Sequence, residues 1–167
     1  MQRLEAIAEW TGKAVAWGSL LMILLGAWNA AVRYIGRFTE TQLASNTLIE
    51  AQWYLFSALF LLGASWTLKD DAHVRVDVFY GRMSERGQAW VDLLGTLFFL
   101  LPFCAFSIWV SMDFVLESWR TLEASPDPGG LPRYPVKTLV PIAFALLLVQ
   151  GIAVAGQKLA VIRGRAE

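Results

Sequence analysis

"LLGTLFFLLPFCAFSIWVSM", Leu93–Met112, runs for twenty residues without one Asp, Glu, Lys, Arg or His. At 1.5 Å per residue, a helix of that length crosses the ~30 Å hydrocarbon core of a bilayer. Lipid offers no partner to backbone N–H and C=O groups, so the segment must satisfy its own and is predicted to be a helix. Pro102 stands near its middle and should kink it, with Ser107 or a neighbouring helix meeting the freed carbonyl.

Three further windows repeat the pattern: Ala14–Val32, Ala51–Leu68 and Leu139–Gln157. With Leu93–Met112 they predict an all-α integral membrane protein of four transmembrane helices in a single domain spanning residues 1–167. The connections are then 33–50, 69–88 and 113–138. Pro141 falls in the first turn of the fourth span, where proline is tolerated. Ala14–Val32 exceeds the apolar stretch of a signal peptide, and no small-x-small cleavage site follows it cleanly, so it reads as a retained helix. Ahead of it, Leu4, Ile7, Ala8 and Thr11 share one helical face, the pattern of a short interfacial amphipathic helix.

Composition agrees. Hydrophobic residues make up 56% of the chain and charged ones 17%, too apolar a balance for an ordinary soluble domain. Basic and acidic residues cancel at fourteen each, which removes any net-charge case for nucleic acid. One histidine, His73, and one cysteine, Cys104, are too few for a His/Cys metal cluster or an internal disulfide. The chain has neither a Gly-rich phosphate loop nor a nucleophile elbow.

Orientation follows from the basic residues. Arg3, Lys13, Lys69, Arg75, Arg82, Arg86, Lys158, Arg163 and Arg165 flank one side; Arg33, Arg37, Arg120, Arg133 and Lys137 flank the other. The positive-inside rule then puts both termini and the 69–88 connection in the cytoplasm, and connections 33–50 and 113–138 outside. Trp17, Trp66 and Trp90 fall at the inner level and Trp28, Trp53 and Trp109 at the outer, as interfacial belts do.

The connection "KDDAHVRVDVFYGRMSERGQ", Lys69–Gln88, is dense in charge between two apolar runs. It has to reach water or headgroups, because unpaired buried ions are expensive. Val74, Val76 and Val78 alternate with His73, Arg75 and Asp77, a strand-like period over a few residues. Asp77 suits an N-cap for a short amphipathic turn, and Ser84 suits a second cap opening the helix of the third span. Arg82 and Arg86 are placed to meet lipid headgroups. If that helix continues through "DFVLESWRTLE", Asp113–Glu123, it outgrows the bilayer core.

The spans lack what active transport machinery needs. Pumps and carriers keep ionisable groups or broken helices near the midplane, and these windows hold none. Gln150 is the one deep amide, suited to an interhelical hydrogen bond. A haem held between helices would need axial ligands, commonly histidines, and no span supplies one. The inventory favours a scaffold over a conducting or redox element. Two alternatives stay open: a membrane anchor subunit of a redox enzyme, and an autonomous homo-oligomeric small transporter or channel.

Several stretches together resemble a known family. Glu50 stands at the head of the second span and Gly63 within it, with "KDDAHVRVDV", Lys69–Val78, after it. "SPDPGGLPRYPVKTLVP", Ser125–Pro141, leads into the fourth span and "LLLVQGIA", Leu146–Ala153, lies inside it. In this order they resemble the DctQ-type small membrane subunit of tripartite ATP-independent periplasmic (TRAP) transporters. The resemblance implies a non-catalytic subunit in the bacterial inner membrane, without cofactor. It implies a large many-helix permease subunit holding substrate and sodium sites, and a periplasmic binding protein delivering an organic acid, usually a carboxylate. Uptake would be driven by an ion gradient, the small subunit bracing the static part of the large one. His73, Arg75 and Asp77 would lock the 69–88 segment or meet the partner. Glu50, Gly129, Gly130 and Gln150 would be structural or interface positions. The proline- and glycine-rich "SPDPGGLPRYP" is predicted to be a rigid irregular turn. It is either a connector or a docking platform, with Arg133 and Lys137, or Glu117 and Glu123, as rim charges.

Overall fold

A computed structural model describes residues 2–39, 45–73 and 77–164, apart from the side chains at 2–9, 11, 77 and 78. Among these residues all regular structure is helical. The helices are α1 (Gln2–Thr39), α2 (Asn46–Lys69), α3 (Asp77–Tyr80), α4 (Glu85–Gly95), α5 (Leu101–Arg120) and α6 (Tyr134–Ile162). A π turn, Thr96–Leu100, joins α4 to α5, so Glu85–Arg120 is one continuous rod. Four of these rods are long and apolar enough to cross a membrane, and each expected span lies inside one of them.

The helices outrun the spans. α1 is unbroken from Gln2, so no separate interfacial helix precedes it, and it continues through 33–39. Hydropathy marks the hydrocarbon slab, whereas a helix ends only where its backbone bonds are diverted. Nothing in residues 2–39 diverts them, and the rod reaches ~57 Å. Pro141 does not open the fourth helix either. Pro135 takes that first-turn position, and Pro141 is buried in the helix interior.

Pro102 is accommodated differently from a simple kink. The proline has no N–H to return to residue 98 and its ring would press on that carbonyl. The chain widens one turn earlier: the Leu101 N–H reaches back five residues to the Thr96 carbonyl. Pro102 then sits in the opening turn of α5. The distortion is absorbed in the bilayer by backbone register.

α6 is the hub, packed against α5, α2 and α4, while α1 lies mainly along α2. Lipid tails are as apolar as leucine, so helices associate by close packing of small residues. Ala143, Gly151, Ala153 and Ala155 are small residues buried along α6, on more than one side of it, as its central position requires. A Cβ at Gly151 would come within 3.0 Å of Leu101. Between α1 and α2, a Cβ at Gly12 would stand 2.6 Å from the Trp66 ring, so only glycine admits that indole. Ala89, Leu93, Ala155 and Ile162 make a small core where α4 meets α6.

Candidate functional site

The residues that carry chemistry gather at the two ends of the bundle. At one end, α2 opens with Ser45 as N-cap, its hydroxyl accepting from the Thr47 N–H at 3.2 Å. The next two turns present Asn46, Thr47, Glu50 and Tyr54 on one side, at helical spacing. Each grips the 121–133 connection. Asn46 Nδ2 donates to the Pro128 carbonyl at 3.1 Å, and Thr47 Oγ1 donates to the Gly129 carbonyl. Tyr54 donates its hydroxyl to the Pro132 carbonyl at 2.8 Å.

Glu50 is the centre of this grip. Its side chain is buried, the residue being 4% exposed. Ser125 Oγ donates to one carboxylate oxygen and the Leu131 N–H donates to the other. An ionised carboxylate only accepts, and both neighbours are donors. Ser125 Oγ also accepts from the Asp127 N–H at 3.2 Å, so the hydroxyl is used in both directions.

The connection is shaped to deliver those donors. Ala124 bridges Pro132 antiparallel, with Ser125 N–H on the Leu131 carbonyl at 3.1 Å and Arg133 N–H on the Glu123 carbonyl at 2.8 Å. The tip is a tight turn closed by Gly130 N–H on the Asp127 carbonyl at 2.9 Å. Pro128 follows the first residue and Gly129 takes φ +71°, the glycine position of a type II turn. Gly130 has a different reason. A Cβ there would lie 2.6 Å from Ser125 Oγ and 2.9 Å from the Glu50 carboxylate. The two adjacent glycines thus serve a backbone angle and a close approach.

Beside this grip, Glu123 accepts from Ser118 Oγ at 2.7 Å and pairs with Lys137. Lys137 Nζ also lies 5.5 Å from the centre of the Phe114 ring. The Lys137 ammonium, then Ser118, hold the Glu123 carboxyl below its ordinary value. Expected rim charges are therefore partly spent: Lys137 and Glu123 neutralise each other, and Glu117 stands 3.7 Å from Arg120. Arg133 is half-buried at the head of α6, and its Nε has no hydrogen-bond partner among the described residues.

The opposite end is joined by an ion pair and side-chain hydrogen bonds. Lys158 Nζ meets Asp92 Oδ2 at 2.6 Å, and the Tyr80 hydroxyl donates to the same oxygen at 2.7 Å. Gln88 Nε2 donates to the Tyr80 carbonyl at 3.1 Å, which ties α3 to α4. Ser84 caps α4 as expected, accepting from the Gly87 N–H. His73 is exposed in the turn after α2. Arg75 and the Asp77 side chain lie outside the described residues, as does the 74–76 part of the strand-like pattern; the backbone of Asp77 begins α3. Gln150 is 2% exposed, and its Nε2 has no hydrogen-bond partner among the described residues.

The grip joins two stretches some eighty residues apart: the head of α2 and the Gly129–Pro132 turn. A family model described as "Tripartite ATP-independent periplasmic transporters, DctQ component" matches residues 22–160. The chain belongs to this family. No curated protein and no solved structure matches it. As a DctQ component it is a small inner-membrane subunit of a TRAP transporter, and the family implies association with a large permease and a binding protein. Of the expected positions, the structure brings Glu50, Gly129 and Gly130 together, sets Arg133 and Lys137 beside them, and leaves His73 and Gln150 apart. Two sets were not picked out from the sequence. Asn46, Thr47 and Tyr54 could have been read as a polar stripe continuing from Glu50. Tyr80, Asp92 and Lys158 had only a weaker signal, opposite charges at the same level of two spans.

Proposed function

We propose that this DctQ subunit braces the large permease subunit during ion-gradient-driven uptake of an organic acid, a carboxylate, delivered by a binding protein. The observation that carries the reading is where the charge lies. Between Lys13 and Arg33, Glu50 and Lys69, Asp92 and Asp113, and Lys137 and Lys158, no Asp, Glu, Lys, Arg or His interrupts the rods. Moving a charged solute or a sodium ion needs polar groups at mid-depth, so conduction falls to the partner. The rigid closure at Glu50 supports a bracing role.

In this reading both termini are cytoplasmic, and the 121–133 turn faces the periplasm. Its exposed tip, Pro126–Gly129, and the charges of Glu117, Arg120 and Asp127 form the rim available to the binding protein. His73, Arg75 and Asp77 meet the large subunit at the other end.

Reconstitution tests it. Sealed liposomes holding this chain, the large permease and the binding protein are expected to accumulate a carboxylate under a sodium gradient. Leaving out any one of the three should abolish accumulation. Gradient-driven accumulation by this chain alone overturns the proposal, and recovery of the chain only as a self-assembled oligomer counts against it.

A further inference from the structure

One groove belongs to neither end's bonding network. It lies between α1 and α2 on the side of the bundle that carries the 121–133 turn, with a volume of about 450 Å³. Gly26, Asn29, Arg33 and Arg37 line it from α1, and Ile49 and Gln52 from α2. Asn29 is 7% exposed, and its Oδ1 has no hydrogen-bond partner; neither has the buried Nε2 of Gln52. Arg33 and Arg37 are exposed at the mouth, and neither meets a carboxylate among the described residues. Buried amide atoms with unspent hydrogen-bonding capacity, beneath two guanidinium groups that meet no carboxylate among the described residues, are costly in a membrane unless something answers them.

The order of the groups indicates what does. Asn29, Arg33 and Arg37 follow at four-residue steps along one face of α1, about 6 Å apart in depth. Trp28, exposed beside them, and Trp53 on α2 mark the interfacial level. A phosphate held by the guanidiniums would lie at the headgroup level. The amides, one turn deeper, would meet the layer of glycerol ester carbonyls. An amide turned through 180° exchanges its oxygen and nitrogen, so Asn29 and Gln52 can both present an NH₂ to those acceptors. A free anion would satisfy the arginines and leave the amides unpaired.

We infer that this α1–α2 groove seats the headgroup and glycerol ester region of one phospholipid, with Arg33 and Arg37 on the phosphodiester and Asn29 and Gln52 on the ester carbonyls. The site is independent of the transport reading. Basic pockets between membrane helices take headgroups for the same electrostatic reason.

The probe is dihexanoyl-phosphatidylglycerol, below its micellar concentration, titrated into the purified chain in detergent. Binding is expected to weaken about thirtyfold in the Arg33→Gln/Arg37→Gln double variant, roughly fivefold per guanidinium. Gly26→Leu keeps both charges but fills the groove floor, where a Cβ would already stand 3.2 Å from Gln52 Nε2; it too should lose binding. Inorganic phosphate at equal concentration should not displace the probe. If a variant fails to fold, the competition on the unaltered chain decides. Equal affinity in all three chains overturns the inference. Displacement by phosphate reduces the site to a free-anion site, and absence of probe binding to the unaltered chain, with the groove shielded from a Cys label by the large subunit, makes it a protein contact; both reject it.

Discussion

The two ends of the bundle are built on different principles. At the turn end, five donors converge on acceptors eighty residues away, and the central carboxylate is sealed from solvent. At the other end, among the described residues, the Lys158–Asp92 pair and the Tyr80 hydroxyl link α3, α4 and α6, and His73 is exposed. The turn end supplies its central carboxylate with partners from the chain itself. Burial decides the difference: Glu50 has its donors supplied by a rigid turn, whereas the 69–88 segment contributes a four-residue helix and a cap.

The largest expected effect tests whether the turn end is indeed the rigid one. Gly130→Val would drive a branched side chain into Ser125 and Glu50, and overpacking of that kind costs about 3 kcal/mol. The expected outcome is loss of the thermally cooperative fold in detergent and of co-purification with the large subunit. Glu50→Leu should act through the same turn, by stranding the Ser125 hydroxyl and the Leu131 N–H. Normal assembly in both variants would erase the contrast.

At the opposite end, Asp92→Leu leaves the Lys158 ammonium without its partner. Breaking a buried pair costs about 3–5 kcal/mol, and partial exposure of this one brings the expectation to roughly 2. The double variant Asp92→Leu/Lys158→Met should recover most of the loss, because no charge is then stranded. A double variant no better than the single one would mean that the carboxylate matters chiefly to Tyr80. Thermal midpoints of the set separate these outcomes.

A smaller effect is read from acid. The Glu123 carboxyl is held below its ordinary value of 4.5, so its contribution to stability is fully present above that pH and is lost as pH falls through the lower folded value. Wild-type protein should unfold at a higher temperature than Glu123→Gln at neutral pH. The gap should close only below 4.5. A gap that persists in stronger acid would show that Lys137 and Ser118 gain nothing from the charge.

What could be read beforehand follows the same line. The four rods were legible from Leu93–Met112 and its three counterparts, because the bilayer forces a fixed length of uncharged helix. Helix ends were read less well: residues 33–39 stay helical beyond the slab, the run past Met112 considered as far as Glu123 ends at Arg120, and Pro141 looked like a first-turn proline because Tyr134–Thr138 carries a lysine and polar groups. Glu50, Gly129 and Gly130 stood out by pattern, yet the hydrogen bonds that explain them join distant stretches. No local period announces such pairings. Asp92 and Lys158 were visible only as charges at a boundary.

The finest test compares two helix ends with the same geometry. α2 and α5 both close with a Schellman motif: Ala72 N–H on the Thr67 carbonyl at 3.0 Å, and Glu123 N–H on the Ser118 carbonyl at 3.0 Å. Each puts a non-glycine residue in the left-handed region, Asp71 at φ 54° and Leu122 at φ 46°. Aspartate tolerates that conformation; leucine suffers the clash of Cβ with the following carbonyl, roughly 1–2 kcal/mol. Leu122 is 64% exposed, so little packing is lost with its side chain. Glycine regains freedom in the unfolded chain, which offsets part of the relief. Leu122→Gly should therefore stabilise by about 0.5–1 kcal/mol, and Asp71→Gly should leave the midpoint unchanged or slightly lower. A rise of equal size at both positions would mean that side-chain type does not distinguish the two caps, and that the turn end carries no extra strain at the point where α5 hands the chain to its grip on Glu50.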